Sequence, residues 1–213
     1  MVFRRKMSKY KFTKKYDFWN LDHVKNFEFI KHYFLYNGYK NLMNLSFLEI
    51  GVFEGRTSCW LIDNILVGTN GILHCIDPYL TKKGKHNLSF HIGDVIVYQE
   101  PSFKILTSFN EQDLFTFDFI YVDGDHNATG VLKDLVLSWE RLKVGGIMLM
   151  DDYEMEVKDP WFYVSHPEFA ENKKLRFTHP RIAIDAFLNI YRGQYEVVID
   201  NYQIGIKKVA TIK

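Results

Sequence analysis

The chain has 213 residues, 47% of them hydrophobic and 25% charged, with a formal net charge of +1 at pH 7. That length suits one domain with a sizeable core, and the balance is ordinary for a soluble globular protein. No run of about 18 apolar residues exists, so no membrane span is expected, and no apolar signal core follows the basic N-terminus.

Residues 1–15 carry seven basic side chains (Arg4, Arg5, Lys6, Lys9, Lys11, Lys14, Lys15) and no acid, leaving 20 basic and 26 acidic groups elsewhere. This reads as a basic, flexible arm ahead of a single domain over 16–213. A basic arm can bind nucleic acid or an anionic surface, but no basic stripe continues past residue 15. Val24, Phe27, Ile30 and Phe34 recur at helical spacing, predicting a helix over 21–36, capped by Asn20 or Asp22 and ended by Gly38. "LSFLEIG" (45–51) reads as a buried strand, "EGRTSCWLIDNIL" as a helix and "GILHCIDPY" (71–79) as a second strand stopped by Pro78. Residues 80–102 have no clear period. "FKILTS" (103–108) is taken as strand three and "FDFIYVD" (117–123) as strand four. A helix over 129–142, the turn "KVGG" and strand five over 146–152 follow, then a polar, aromatic loop to about 178, a helix at "RIAIDAFLNIY" and a closing hairpin. Strands alternating with helices predict an α/β fold: a doubly wound, mainly parallel sheet with a C-terminal antiparallel hairpin. Cys59 and Cys75 lack disulfide or zinc spacing and read as reduced thiols of a cytoplasmic protein.

The first chemical signal is "EIGVFEG". Glu49 ends a strand, and Gly51 and Gly55 bracket the turn into a helix, where a missing Cβ lets the backbone approach a ligand. Phe53 occupies the position where a nicotinamide-binding turn needs its second glycine, so that motif is absent. The second signal is acidic. Asp123 ends strand four, and Asp151 and Asp152 end strand five. Carboxylates about 4 Å apart repel by roughly 4 kcal/mol at an effective dielectric near 20. Either a hard divalent cation, magnesium first, or protonation of one acid would offset that. Asp125 or Asn127 also suits a helix cap. His126, three residues after Asp123, is either a general base or a plain surface histidine.

Together, "FLEIGVFEGRTS", "HCIDPY", "FDFIYVDGDH" and "LKVGGIMLMDDY" resemble the small class I S-adenosylmethionine-dependent O-methyltransferases of the macrolide and aminocoumarin sugar type. The resemblance implies a Rossmann-like seven-stranded fold and S-adenosylmethionine plus magnesium as cofactors. It implies a cofactor site of Glu49, Gly51, Val52, Gly55, Thr57, Ser58, Asp77 and Asp123, with Ser108 (or Asp94 of "HIGD") beside the adenine. Asp77 would take the ribose hydroxyls, and Glu49 the ammonium group. Asp123, Asp151 and Asp152 correspond to the metal ligands, and His126 or Asp123 to the base. Asp125, Tyr153, Trp161, His179 and Arg181 are candidate substrate contacts. The expected reaction is methyl transfer to a hydroxyl of a small molecule, with a sugar or sugar nucleotide placed first. A homodimer through the 21–36 helix is the assembly considered. A non-catalytic nucleoside-binding module would tolerate loss of the acids, which are present. An amino-directed nucleic-acid methyltransferase would carry Asn/Asp-Pro-Pro-Tyr after strand four, where this chain has "DGDH".

Overall fold

A computed structural model describes residues 9–14, 19–36, 43–155 and 179–211. The chain divides into two compact units, Met1–Ile105 and Leu106–Lys213.

In the first unit, helix α1 (Leu21–Tyr36) is capped by Asn20, whose Oδ1 accepts from the amides of Asp22 (2.9 Å) and His23 (3.0 Å). Its apolar face is aromatic: Phe27 lies 5.4 Å from Trp60 and Phe34 5.0 Å from Phe47, ring centre to ring centre. Strands β1 (Ser46–Ile50), β2 (Ile72–Ile76) and β3 (Val95–Tyr98) are parallel, in the order β3-β2-β1. Their carboxyl ends align, because Ile50 pairs with Ile76 and Ile76 with Tyr98. Helix α2 (Arg56–Leu61) follows β1 and continues as a π-helical turn over Ile62–Leu66. Helix α3 (Lys82–Leu88) is capped by Thr81, whose hydroxyl accepts from the Gly84 amide.

Two expectations are corrected here. The third strand is Val95–Tyr98, inside the segment without a clear period, and "FKILTS" lies in helix α4 (Ser102–Glu111). Its three apolar residues fit a strand, but Leu106 and Phe109 are the buried pair, at helical spacing, and Pro101 accepts the first helical bonds from Lys104 and Ile105. Ser108 therefore does not end a strand; its hydroxyl accepts from Gln112, just past the end of this helix. Asp94 stands at the amino end of β3, so neither adenine candidate occupies a strand's carboxyl end.

In the second unit, β4 (Phe117–Val122) and β5 (Leu142–Met150) are parallel, while β7 (Ile204–Lys208) pairs antiparallel with β5 and with β6 (Tyr195–Asp200), giving β4-β5-β7-β6. All six β4 residues are buried, as expected of a parallel strand covered on both faces. Asp118 survives there because Lys143 Nζ meets its two oxygens at 2.9 and 2.8 Å. "KVGG" is not a turn before the strand but a bulge within it: pairing jumps from Phe117–Leu142 to Phe119–Ile147, with Gly145 at φ 88°. Helix α5 (Ala128–Trp139) packs on α6 (Pro180–Ile190) through Trp139 and Phe187, 5.6 Å apart. With three strands in one unit and four in the other, the described residues form the expected Rossmann-like, mainly parallel seven-stranded fold with its C-terminal hairpin. No described helix is long and apolar enough to cross a membrane.

Candidate active site

Each unit places chemistry at the carboxyl ends of its own parallel strands. In the first unit the feature is the turn after β1. Gly51 (φ 86°), Phe53 (φ 52°) and Gly55 (φ 73°) all adopt left-handed backbone. Asp77, just beyond β2, holds this turn: its Oδ2 accepts from Val52 N (2.9 Å) and Phe53 N (2.8 Å), and its Oδ1 from Tyr79 N (2.7 Å). Oδ1 keeps acceptor capacity for a ligand hydroxyl.

Glu49 is 1% exposed and points inward. It pairs in register with Cys75, whose thiol lies 3.7 Å from its Oε2, and Ser58 donates a short hydrogen bond to the same oxygen. Burial pushes its pKa up to about 8, against the pull of the Ser58 and Cys75 contacts, and the charge of Asp77 adds to the rise. The carboxyl therefore favours its protonated form at neutral pH. Ser58 donates to Glu49 and is fully buried, and Thr57 beside it is 7% exposed.

In the second unit, Asp123, His126 and Asp152 each offer one ligand atom, all within 4.8 Å of one another. Local structure explains the convergence. Asp123 follows β4, and His126 lies in the short connection to α5, whose start is capped by Asn127 accepting from the Thr129 amide at 3.1 Å. The Asp151 amide donates to Val122 O at 3.0 Å, tying the two strand ends together, and Asp152 turns back with φ 60°. His126 Nε2 lies 2.9 Å from Asp152 Oδ2. Burial favours the neutral ring, but the Asp152 hydrogen bond and the charges of Asp152, Asp151 and Asp125 outweigh it and raise the pKa.

Asp151 is placed differently from its neighbours. Its Oδ2 accepts from Tyr121 OH (2.5 Å), and its Oδ1 from Gln203 Nε2 (3.0 Å) and the Asp152 amide (2.8 Å). The three ligand atoms that converge belong to Asp123, His126 and Asp152, with Asp151 held by these donors beside them. Tyr121 also reaches Asp123 Oδ2 at 3.3 Å, and Tyr202 donates to Asp152 Oδ1 at 2.8 Å. Tyr121, Tyr202 and Gln203 were not singled out from sequence. Tyr121 alone had a local signal, since it shares a strand face with Asp123 by the period of two.

A small cleft at this cluster is lined by Asp123, Asp125, His126, Asp152 and Pro180 among others. The expected substrate contacts are only partly there. Asp125 is exposed, with Oδ1 accepting from the Asn127 amide. His179 caps α6, Nδ1 accepting from Arg181 N and Nε2 hydrogen-bonded to Met155 O. Tyr153 donates to Asp185 (3.0 Å), with the Arg181 guanidinium 4.7 Å from its ring. Trp161 lies outside the described residues.

A family model described as a methyltransferase domain matches residues 48–153. An uncharacterized protein of Acanthamoeba polyphaga mimivirus is 28% identical over 122 residues, 52% of this chain and 52% of that protein. Among solved structures, the MycE methyltransferase of the mycinamycin biosynthetic pathway, in complex with Mg and S-adenosylhomocysteine (SAH), superposes with a TM-score of 0.60 at 14% identity, over 90% of this chain and 51% of that one. An SAH-bound methyltransferase of Podospora anserina gives 0.58 at 18% identity (78% and 72%), and the Bacillus cereus O-methyltransferase with SAH 0.53 at 15% (76% and 74%). The chain spans about half the length of the mimivirus protein and of MycE.

Proposed function

We propose, from the match of residues 48–153 to a methyltransferase-domain family model, that the protein is an S-adenosylmethionine-dependent, magnesium-dependent O-methyltransferase acting on a hydroxyl of a small molecule, a sugar or sugar nucleotide first. The observation that carries this reading is the Asp123–His126–Asp152 cluster at the carboxyl ends of β4 and β5. The donor chemistry fits a hard divalent cation: two carboxylate oxygens suit magnesium, which keeps waters in its remaining positions. Asp123 and Asp152 would hold it. Bound there, the cation would lower the pKa of a substrate hydroxyl and offset the negative charge that raises the His126 pKa.

The chain's own residues supply the rest. The Gly51–Gly55 turn and Asp77 bind the methyl donor through backbone approach and ribose hydroxyls. His126 takes the hydroxyl proton, and Asp152 stabilises the resulting imidazolium. Tyr121, Tyr202 and Gln203 fix the acids so that little reorganisation accompanies the reaction. The oxygen attacks the methyl carbon in line with the departing sulfur, leaving a neutral thioether. MycE, solved with Mg and SAH, supports the cofactor pair.

The test combines calorimetry with S-adenosylmethionine and radiolabelled methyl transfer to a panel of nucleotide sugars, before and after chelation. Binding of the donor, with turnover lost on chelation and restored by magnesium, is expected. Full activity after chelation would refute the metal role, and donor binding without transfer to any panel member would refute the acceptor class.

A further inference from the structure

An aromatic residue in left-handed backbone costs about 1–2 kcal/mol, so the turn around Phe53 keeps its shape only while its surroundings hold it. Three grips come from nearby elements. Asp77 takes the Val52 and Phe53 amides, Thr81 Oγ1 donates to Phe53 O at 2.9 Å, and Asn87 Nδ2 donates to Glu54 O at 2.9 Å. The fourth comes from the basic N-terminal segment.

Thr13 donates twice to Glu54, from its amide to Oε2 and from its hydroxyl to Oε1, both at 2.6 Å. Lys83 Nζ closes the group, 3.5 Å from Glu54 Oε1 and bonded to the Thr13 hydroxyl. Burial alone would raise the Glu54 pKa, but the Thr13 donors and Lys83 win and lower it, so the acid stays ionised. Lys11 and Asn87 exchange two bonds, Lys11 N to Asn87 Oδ1 at 2.8 Å and Asn87 Nδ2 to Lys11 O at 3.3 Å. The Phe12 ring lies 4.7 Å from the guanidinium of Arg56, the first residue of α2. Tyr10 anchors the segment: it is 7% exposed, donates to Asp63 Oδ2 at 2.8 Å and lies 2.6 Å from His91 Nε2. Both oxygens of an acid inside the cofactor turn are thus taken by one residue 41 positions earlier.

We propose that Tyr10–Thr13 is a strap that presets the Gly51–Gly55 turn for S-adenosylmethionine, with Thr13 and Glu54 as positioning residues for that ligand. The inference rests on the methyltransferase reading and extends it to a segment that reading leaves without a task. Without the strap the turn relaxes toward ordinary backbone angles, and binding must first restore its shape.

The test is calorimetric titration of S-adenosylmethionine into the full chain and its Thr13→Val, Thr13→Ser and Glu54→Gln variants, with amide hydrogen exchange over residues 51–55. Thr13→Val and Glu54→Gln should weaken binding about tenfold, the loss expected for a charge-assisted hydrogen bond. Exchange in the turn should quicken in both, and Thr13→Ser, which keeps the hydroxyl, should restore both readouts. The Michaelis constant for the donor should rise while kcat at saturating donor and the Michaelis constant for the acceptor hold. Wild-type affinity and exchange in Thr13→Val overturn the strap. If that variant fails to fold, Glu54→Gln carries the same comparison. A wild type that binds no S-adenosylmethionine overturns the functional reading instead, and the exchange data still decide whether the strap sets the turn.

Discussion

Replacing Glu49 by Gln tests whether a proton is stored in the core beneath the Gly51–Gly55 turn. The folded carboxyl has a pKa pushed up to about 8 by burial, with the Ser58 hydroxyl and the Cys75 thiol beside it. An unfolded glutamate releases its proton near the ordinary glutamate value of about 4.5. Between those values the folded state binds more protons than the unfolded state, so this group's contribution falls as pH rises. It is fully present below about 4.5 and lost by about 8. A gap of about 3.5 units at 1.36 kcal/mol each gives a loss of about 5 kcal/mol, an order-of-magnitude ceiling for so buried a group. Gln is nearly isosteric, can still accept from Ser58 and cannot ionise. Urea denaturation of both proteins from pH 5 to 8.5 should show the wild type losing several kcal/mol relative to Glu49→Gln across that range. Parallel stability curves would show that Glu49 is ionised in the folded protein and that the burial argument is wrong.

Further outcomes follow from the same geometry. His126→Ala should cut kcat by about 10² or more with donor affinity unchanged in calorimetry; a near-normal rate would pass the base role to Asp123. Tyr202→Phe removes the 2.8 Å bond to Asp152 Oδ1, and the magnesium concentration for half-maximal activity should rise about tenfold. Gly84→Ala gains about 1 kcal/mol of helix propensity. Its Cβ, however, would stand 2.5 Å from Phe53 O and 2.7 Å from Leu80 Cδ1. A backbone oxygen yields poorly, so a net destabilisation of about 1–2 kcal/mol is expected in thermal melts, with weaker donor binding.

The strand ends carried their chemistry in plain view. Gly51, Asp77, Asp123 and the Asp151–Asp152 pair each follow a short apolar run, and a buried parallel strand followed by glycine or acid is a local pattern. The 103–108 segment failed for the opposite reason: its three apolar residues fit both periods, and only the burial of Leu106 and Phe109 on one face decides for helix. The roles of the acids were not legible either. Asp151 and Asp152 are adjacent in sequence, yet one faces Tyr121 and Gln203 and the other His126, because the chain turns through left-handed backbone at Asp152. The same holds for the inward turn of Glu49 and the grip of Thr13 on Glu54. Sequence by itself determined which residues stand where parallel strands end, since periodicity acts over a few positions. Which of them are exposed, spent on one another or open to a ligand was decided by contacts up to 82 residues apart, and only chain packing creates those.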